Sequence, residues 1–289
     1  MMNEPPQQTL LVVTGASRGL GRAIAIAFAS STQIPSLRAL LVARSADDLA
    51  ETAALMRDAA EQSSTEIDVS YVVADLSKLS SLELTIEKLV LEPLASSSSS
   101  LSKEYDKAVL INNAGSLGYL GRVADMSSLA ELQHAINFNI TSSIWLSSQF
   151  ARKFALSKEG EAAPAAKCII VNISSLCAIK PFNTMSVYCA GKAARDMFHA
   201  VLSKEESAAA SSAEDVKILN YAPGMCETEM SVELAESDQL DQDLSAMYQT
   251  SLEEKKMVQP KDTAEKLLRI LLADDDEWNS GAHIDYWDE

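Results

Sequence analysis

Histidine and cysteine are scarce in this chain: three of the first and four of the second among 289 residues. Cys168, Cys177, Cys189 and Cys226 form no C-x-x-C pair, and His134, His199 and His283 are scattered, so neither a metal site nor a disulfide framework is expected. Each cysteine reads as a small buried hydrophobe. Positive charge is short as well, 24 Lys and Arg against 41 Asp and Glu, for a formal net charge of −17. Nucleic acids and anionic membranes are held through basic patches, so both are disfavoured as partners. The acidity is spread over the chain and reads as a solvated surface. No apolar run reaches the ~18 residues of a membrane span. Met1–Gln8 is polar with two prolines, unlike a secretory leader. A reducing cytoplasm fits these absences. What is plentiful is apolar residue, 47% of the chain, ample for the core of one large domain.

The richest stretch runs from Val171 to Lys192, VNISSLCAIKPFNTMSVYCAGK. It opens as a β-branched strand, turns at Pro181 and enters a helix near Ser186. Tyr188 and Lys192, four residues apart, fall on one face of that helix. A lysine ammonium beside a phenol favours the phenolate, so the tyrosine pKa is expected to fall below its free value of about 10. Ser175, thirteen residues before Tyr188, ends the strand, where its hydroxyl can meet the phenol across a cleft. A hydroxyl, an acidified phenol and a cation are what carbonyl reduction requires.

Near the N-terminus, the apolar run Thr9–Val13 feeds into TGASRGLG and then a helical pattern. Strand, glycine turn and helix together make a dinucleotide-type loop. Gly15 permits the sharp turn, Gly19 a close backbone approach to a pyrophosphate, and Gly21 tight helix–strand packing, with helix N–H groups offered to the anion. Arg44 and Ser45 follow the second strand (Leu37–Ala43), where an acidic residue usually holds the ribose of NAD. With Arg18 in the glycine loop, two arginines suit a 2′-phosphate, so NADPH is favoured over NADH. After the third strand (Val69–Val73), Asp75 and Leu76 are placed to meet the adenine. The fourth strand ends in Asn112-Asn113-Ala114-Gly115, whose asparagines can brace the turn under a nicotinamide ribose. A helix is expected over Leu82–Leu94, and one long helix over Leu129–Phe154, in which Asn139 is unfavourable by propensity and hints at a buried polar role. Loop insertions are expected at 96–104, with its serine tract, and at 157–166 and 203–215. The sixth strand, Val216–Tyr221, leads to Pro223-Gly224. The acidic segment Glu229–Tyr248, within 225–260, reads as a helical lid over the cleft. Thr263–Leu272 is a late helix and Ala282–Tyr286 a last strand. The alternation throughout predicts a single domain, residues 1–289, with α/β architecture and one doubly wound parallel sheet.

With TGASRGLG, NNAG, the Asn139 helix, Ser175, Tyr188-x-x-x-Lys192 and Pro223-Gly224 in order, the chain resembles the short-chain dehydrogenase/reductase family over nearly its whole length. The resemblance implies a Rossmann fold, an NADP(H)-dependent enzyme and a homodimer pairing on the helices around Asn139 and from Tyr188 to Leu202. It implies that Ser175 orients the substrate carbonyl, Tyr188 donates the proton, and Lys192 holds the nicotinamide ribose and lowers the tyrosine pKa. Asn139 would support a water relay to Lys192. Gly15, Ser17, Arg18, Gly19, Leu20 and Gly21 match cofactor contacts, as do Arg44, Ser45, Asp75, Leu76 and Asn113. Cys226, Glu227, Thr228, Glu229 and Met230 match the segment that closes over nicotinamide and pyrophosphate.

The blocks NNAGSLG, NISSLCAIKPF, YCAGKAARDM, NYAPG and SGAHIDYWD resemble the branch of that family that reduces side-chain ketones of pterins. There Gly224 matches a substrate-contacting glycine and Asp285 a pterin anchor. The anchor has its own chemical sense: a pterin edge presents an amine and a ring N–H side by side, and one carboxylate accepts both. Two other readings stand beside this one. The first is a broad reductase of 1,2-diketones such as benzil, with the same catalytic set. The second is a dinucleotide-sensing protein without chemistry, which usually lacks the tyrosine or lysine present here.

Overall fold

The computed structural model describes residues 8–84, 86–87, 105–155, 165–209, 216–273 and 277–288. Seven strands form one parallel sheet: β1 Gln8–Thr14, β2 Ser36–Ala43, β3 Glu66–Val73, β4 Tyr105–Asn112, β5 Ala165–Ile173, β6 Val216–Ala222 and β7 His283–Asp285. Their spatial order is β3-β2-β1-β4-β5-β6-β7. The central strands are near-continuous apolar runs because helices cover both faces. Alternation along β1 sends Leu11 and Val13 to one face and Leu10 and Val12 to the other.

On the first face lie α1 (Gly19–Ala29), α2 (Ala46–Ser63) and α9 (Pro260–Leu272), whose Ile24, Phe28, Met56 and Leu267 share the core with Leu11 and Val13. On the second lie α5 (Ser142–Phe154) and α6 (Ser186–Ala209). Phe150 and Phe154 stack there with ring centroids 4.6 Å apart. Truncating either fully buried ring would cost about 3–5 kcal/mol. The remaining helices are α3 (Leu79–Leu84), α4 (Leu129–Ile136), α7 (Glu229–Glu236) and α8 (Gln242–Glu253). Among the described residues no helix is long and apolar enough to cross a membrane.

Several expected boundaries move. The helix expected over 129–154 is interrupted by a π turn, Asn137–Thr141, which carries Asn139. Residues 203–209, expected in a loop, continue α6, because a serine on a helix can bond back to the preceding turn and alanine is the best helix former. Ser207 does so, donating to the Ser203 carbonyl at 2.7 Å. Residues 165 and 166, also placed in a loop, open β5 in register with β4. The expected lid helix over Glu229–Tyr248 is two helices broken at 237–241. Of the helix expected over Leu82–Leu94, the described residues are 82–84, which end an α3 that starts earlier, and 86–87. The insertion expected at 96–104, and 157–164 and 210–215 of the other two, lie outside the described residues.

Candidate active site

The sheet order reverses between β1 and β4, and a cleft of about 680 Å³ opens over the C-terminal strand ends there. The glycine loop forms one wall. Gly15 leaves β1 with φ of +67°, and a Cβ there would stand 2.8 Å from Asn113 Nδ2. A Cβ on Gly21 would overlap the Gly15 carbonyl oxygen, so α1 packs this close only because that position is bare. Neither a side-chain cap nor an acidic residue blocks the first turn of α1. Its leading N–H groups and positive dipole end are thus available to an anion. Asn113 braces the loop as expected, with Nδ2 donating to the Thr14 and Gly15 carbonyls at 3.0 and 3.3 Å. Ser17, Arg18, Gly19 and Leu20 line the same wall.

At the far end, Arg44 stands exposed at the end of β2. Beside it, Ser45 caps α2 by accepting from the Asp48 N–H at 3.3 Å. Arg18 differs from expectation, since its guanidinium is ion-paired with Glu229 at the start of α7. Ala74 and Leu76 face the cleft, but the carboxylate of Asp75 is not among the lining groups. It accepts from the hydroxyl and N–H of Ser77 at 2.6 and 3.1 Å. Those bonds, with Lys78 and Arg44 nearby, hold it below the usual carboxylate range despite partial burial.

Ser175, Tyr188 and Lys192 meet in the cleft, from the end of β5 and the first turns of α6. Lys192 Nζ lies 5.5 Å from the Tyr188 ring centroid and donates to the Ile173 carbonyl at 2.6 Å. Ser175 Oγ accepts from the Cys177 N–H at 3.1 Å. The Tyr188 hydroxyl donates to Met230 Sδ, 3.9 Å away.

The electrostatics reverse one expectation. Burial pushes the Tyr188 phenol above its ordinary value, with Cys177 and Tyr248 adding to it and Arg195 and Ser175 opposing. Burial and the neighbouring Arg195 lower Lys192 itself to about 7. Desolvation disfavours the charged form of both groups, which keeps the phenol protonated and makes the ammonium labile.

Asn139 is buried, as expected, but both ends of its amide are engaged. Oδ1 accepts from the Ser116 N–H at 2.8 Å and Nδ2 donates to the Ser116 carbonyl at 3.0 Å. The side chain therefore stitches the π turn to the chain after β4. A narrow crevice beside it is lined by Asn139, Tyr188, Gly191, Lys192 and Arg195. Gly224, Cys226, Thr228, Glu229 and Met230 line the cleft. Glu227 points elsewhere and accepts from Gln259 Nε2 at 2.7 Å. The Cys226 thiol donates to the Pro223 carbonyl at 3.3 Å, and burial raises its pKa to about 12. Asp285 ends β7 opposite Ala222 and is not among the cleft-lining residues; its Oδ1 accepts from the Trp287 N–H at 3.0 Å.

Sequence reading gave Tyr248 no role beyond ending the lid segment, though that side chain joins the cleft wall from α8, and it missed Arg195, which is only 1% exposed beside Tyr188 and Lys192. The signal for Arg195 was its place on α6: it lies three residues after Lys192 and seven after Tyr188, on the same face.

Fold and site together define an oxidoreductase acting on carbonyl or alcohol groups, with a cradle that fits the pyrophosphate of a nicotinamide dinucleotide. Residues 9–239 match the family described as short chain dehydrogenase, and the chain belongs to that family. It is 34% identical to the sepiapterin reductase of Bos taurus over 290 residues, 98% of this chain and 96% of that protein. Over 236 residues, 80% of each chain, it is 31% identical to the benzil reductase ((S)-benzoin forming) of Bacillus subtilis (strain 168). Among solved structures, the KRED1-Pglu enzyme matches with a TM-score of 0.72 at 23% identity, covering 96% of this chain and 100% of that one, a likeness of fold.

Proposed function

We propose that this protein reduces a side-chain ketone of a pterin with NADPH. Sepiapterin to dihydrobiopterin would be the assay reaction, and the last step of tetrahydrobiopterin synthesis the physiological one. The observation that carries the reading is full-length similarity to sepiapterin reductases joined to an intact Ser175, Tyr188 and Lys192 set in one cleft. The first turn of α1 receives the pyrophosphate, and Arg44 receives the 2′-phosphate through charge-assisted bonds. Bound there, the nicotinamide supplies a hydride equivalent to the ketone carbon. Ser175 Oγ donates to the ketone oxygen, Tyr188 Oη delivers the proton to it, and Lys192 Nζ returns a proton to the phenolate.

Asp285 is the residue we assign to the heterocycle, on the resemblance of its block; it stands off the cleft wall, but its neighbours Tyr286 and Trp287 come within 3.5 Å of a Cβ position on the cleft-lining Gly224. Helices α7 and α8 serve as the lid, with Met230, Leu234 and Tyr248 against the cleft. The enzyme assembles as a homodimer through α5 and α6, where Met197 and Val201 are exposed one turn apart. A light-scattering mass near 31.2 kDa would remove that part of the reading.

A second reading, broad reduction of 1,2-diketones, is favoured by the apolar wall that Met185, Leu234 and Tyr248 give the cleft. Asp285→Ala separates the two. Spectrophotometric NADPH loss with sepiapterin should fall at least ~10-fold, the value of one charge-assisted contact, while benzil turnover is spared. Equal losses with both substrates, or none, would give the site to the diketone reading. A non-catalytic dinucleotide sensor requires that no carbonyl compound supports NADPH oxidation.

A further inference from the structure

Arg195 stands out among the buried groups because, among the described residues, its guanidinium is bonded to an amide and two backbone carbonyls and to no carboxylate. Nε donates to Asn172 Oδ1 at 2.7 Å and Nη1 to the Ala114 carbonyl at 3.0 Å, while Nη2 bonds the Asn112 carbonyl. One side chain thereby ties α6 to β5 and to both ends of the turn after β4. The chain of contacts continues outward. Asn172 Nδ2 donates to Asp196 Oδ1 at 2.9 Å, and Asp196 Oδ2 meets His283 Nδ1 at 2.7 Å. The charged or titratable groups that bear on the Lys192 ammonium are Arg195 and Asp196 on its own helix, Tyr188 one turn earlier, and Cys177 from the turn after β5. The π turn contributes only the neutral Asn139.

We propose that Arg195 is a positioning residue of the reaction: its guanidinium locks the Asn112–Ala114 turn and sets a fixed positive charge against the amine of Lys192, with Asp196 as the counterweight. This rests on Tyr188 and Lys192 being the reacting pair, and not on which carbonyl compound they reduce. The arginine keeps its charge at neutral pH, since burial lowers it only to about 10. It therefore biases the lysine toward the neutral amine, while Asp196 biases it toward the ammonium. Lys192 acts on Tyr188, so the two neighbours act through it.

The test titrates Lys192 directly in the full-length protein, by NMR of reductively ¹³C-methylated lysines, with the signal assigned by its loss in Lys192→Arg. Arg195→Gln should move the titration upward by about one pH unit, and Asp196→Asn should move it downward. The alkaline limb of kcat/KM should follow in both cases. A merely structural role predicts lower activity with an unmoved titration, and that result overturns the proposal, as does a shift of the same sign in both variants. Should Arg195→Gln fail to fold, Arg195→Lys keeps the charge and loses the three-way clamp. It should hold the titration in place while turnover falls, and Asp196→Asn then carries the test of sign. A wild-type protein that reduces no carbonyl compound defeats the functional reading, whereas the titration still decides the electrostatic one.

Discussion

The most direct perturbation of the site is pH, because burial moves its two titrating groups in opposite directions. Lys192 titrates at about 7, and Tyr188 stays protonated well beyond the ordinary phenol value. In the reaction proposed above, reduction starts with both groups protonated: the phenol would give its proton to the forming alkoxide, and the ammonium would refill it. Without the ammonium, the phenol would leave a bare phenolate in a desolvated site, which is slow. The reactive fraction is therefore the fraction of Lys192 that is ammonium. It is near one below pH 6 and falls about tenfold per pH unit above 7, to about 1% at pH 9. The quantity to measure is kcat/KM for the ketone at saturating NADPH, since it reports the groups of the NADPH-bound enzyme that meets the ketone. Constant ionic strength across pH 5.5 to about 9.5 removes the screening of Arg44 and Arg18 as a variable. The expected profile is a plateau on the acid side and a single alkaline limb of slope −1. A profile flat to about pH 9, falling only near the ordinary lysine value of 10.5, would refute the claim that burial and Arg195 discharge this lysine.

Three further outcomes follow from the same geometry. Tyr188→Phe removes the proton donor but none of the cofactor cradle, so turnover should fall ~10²–10⁴-fold while NADPH binding, followed by fluorescence, stays close to wild type; near-normal turnover would remove Tyr188 from its role. Arg44→Ser should raise the NADPH KM about 10–100-fold and leave NADH little changed, which steady-state kinetics with both cofactors decides. The bond to Asp196 favours the protonated form of His283 and lifts its folded pKa above the free value of 6.5, against the opposing effect of burial. Its stabilising contribution is therefore complete below pH 6.5 and lost as pH climbs through the higher folded value. The urea midpoint should fall over that window in the wild type and less so in His283→Gln.

Much of the fold could be read from local chemistry. β1, β2 and β5 are runs of apolar residues too continuous for a one-sided sheet, and the glycine loop needs positions where a Cβ would strike Asn113 or the Gly15 carbonyl. What escaped reading depends on groups distant in sequence. Arg195 looks like a surface cation until the carbonyls of Asn112 and Ala114, some eighty residues earlier, are seen converging on it. Arg18 looks free for phosphate until Glu229 meets it from α7. The π turn at Asn139 has no propensity signature; it is fixed by the bonds to Ser116. The extension of α6 to Ala209 ran against a serine-based loop reading and toward alanine's helix propensity.

The reversed sign at Tyr188 changes how the direction of reaction is set. A cation beside a phenol would make a ready base at neutral pH, suited to oxidising alcohols. Burial instead makes the pair a store of two protons below about pH 7 and one above it, the departing proton being that of Lys192. Reduction consumes the two-proton state and leaves the one-proton state; oxidation runs the same steps backward and requires the one-proton state at the start. Both directions are then governed by one titration, with mirrored profiles. NADP-linked oxidation of the product alcohol should rise tenfold per unit up to about pH 7 and level off above it, because the phenolate–ammonium and phenol–amine forms carry the same number of protons. If oxidation instead keeps rising tenfold per unit past pH 9, the phenol is titrating on its own and Lys192 is not its proton partner.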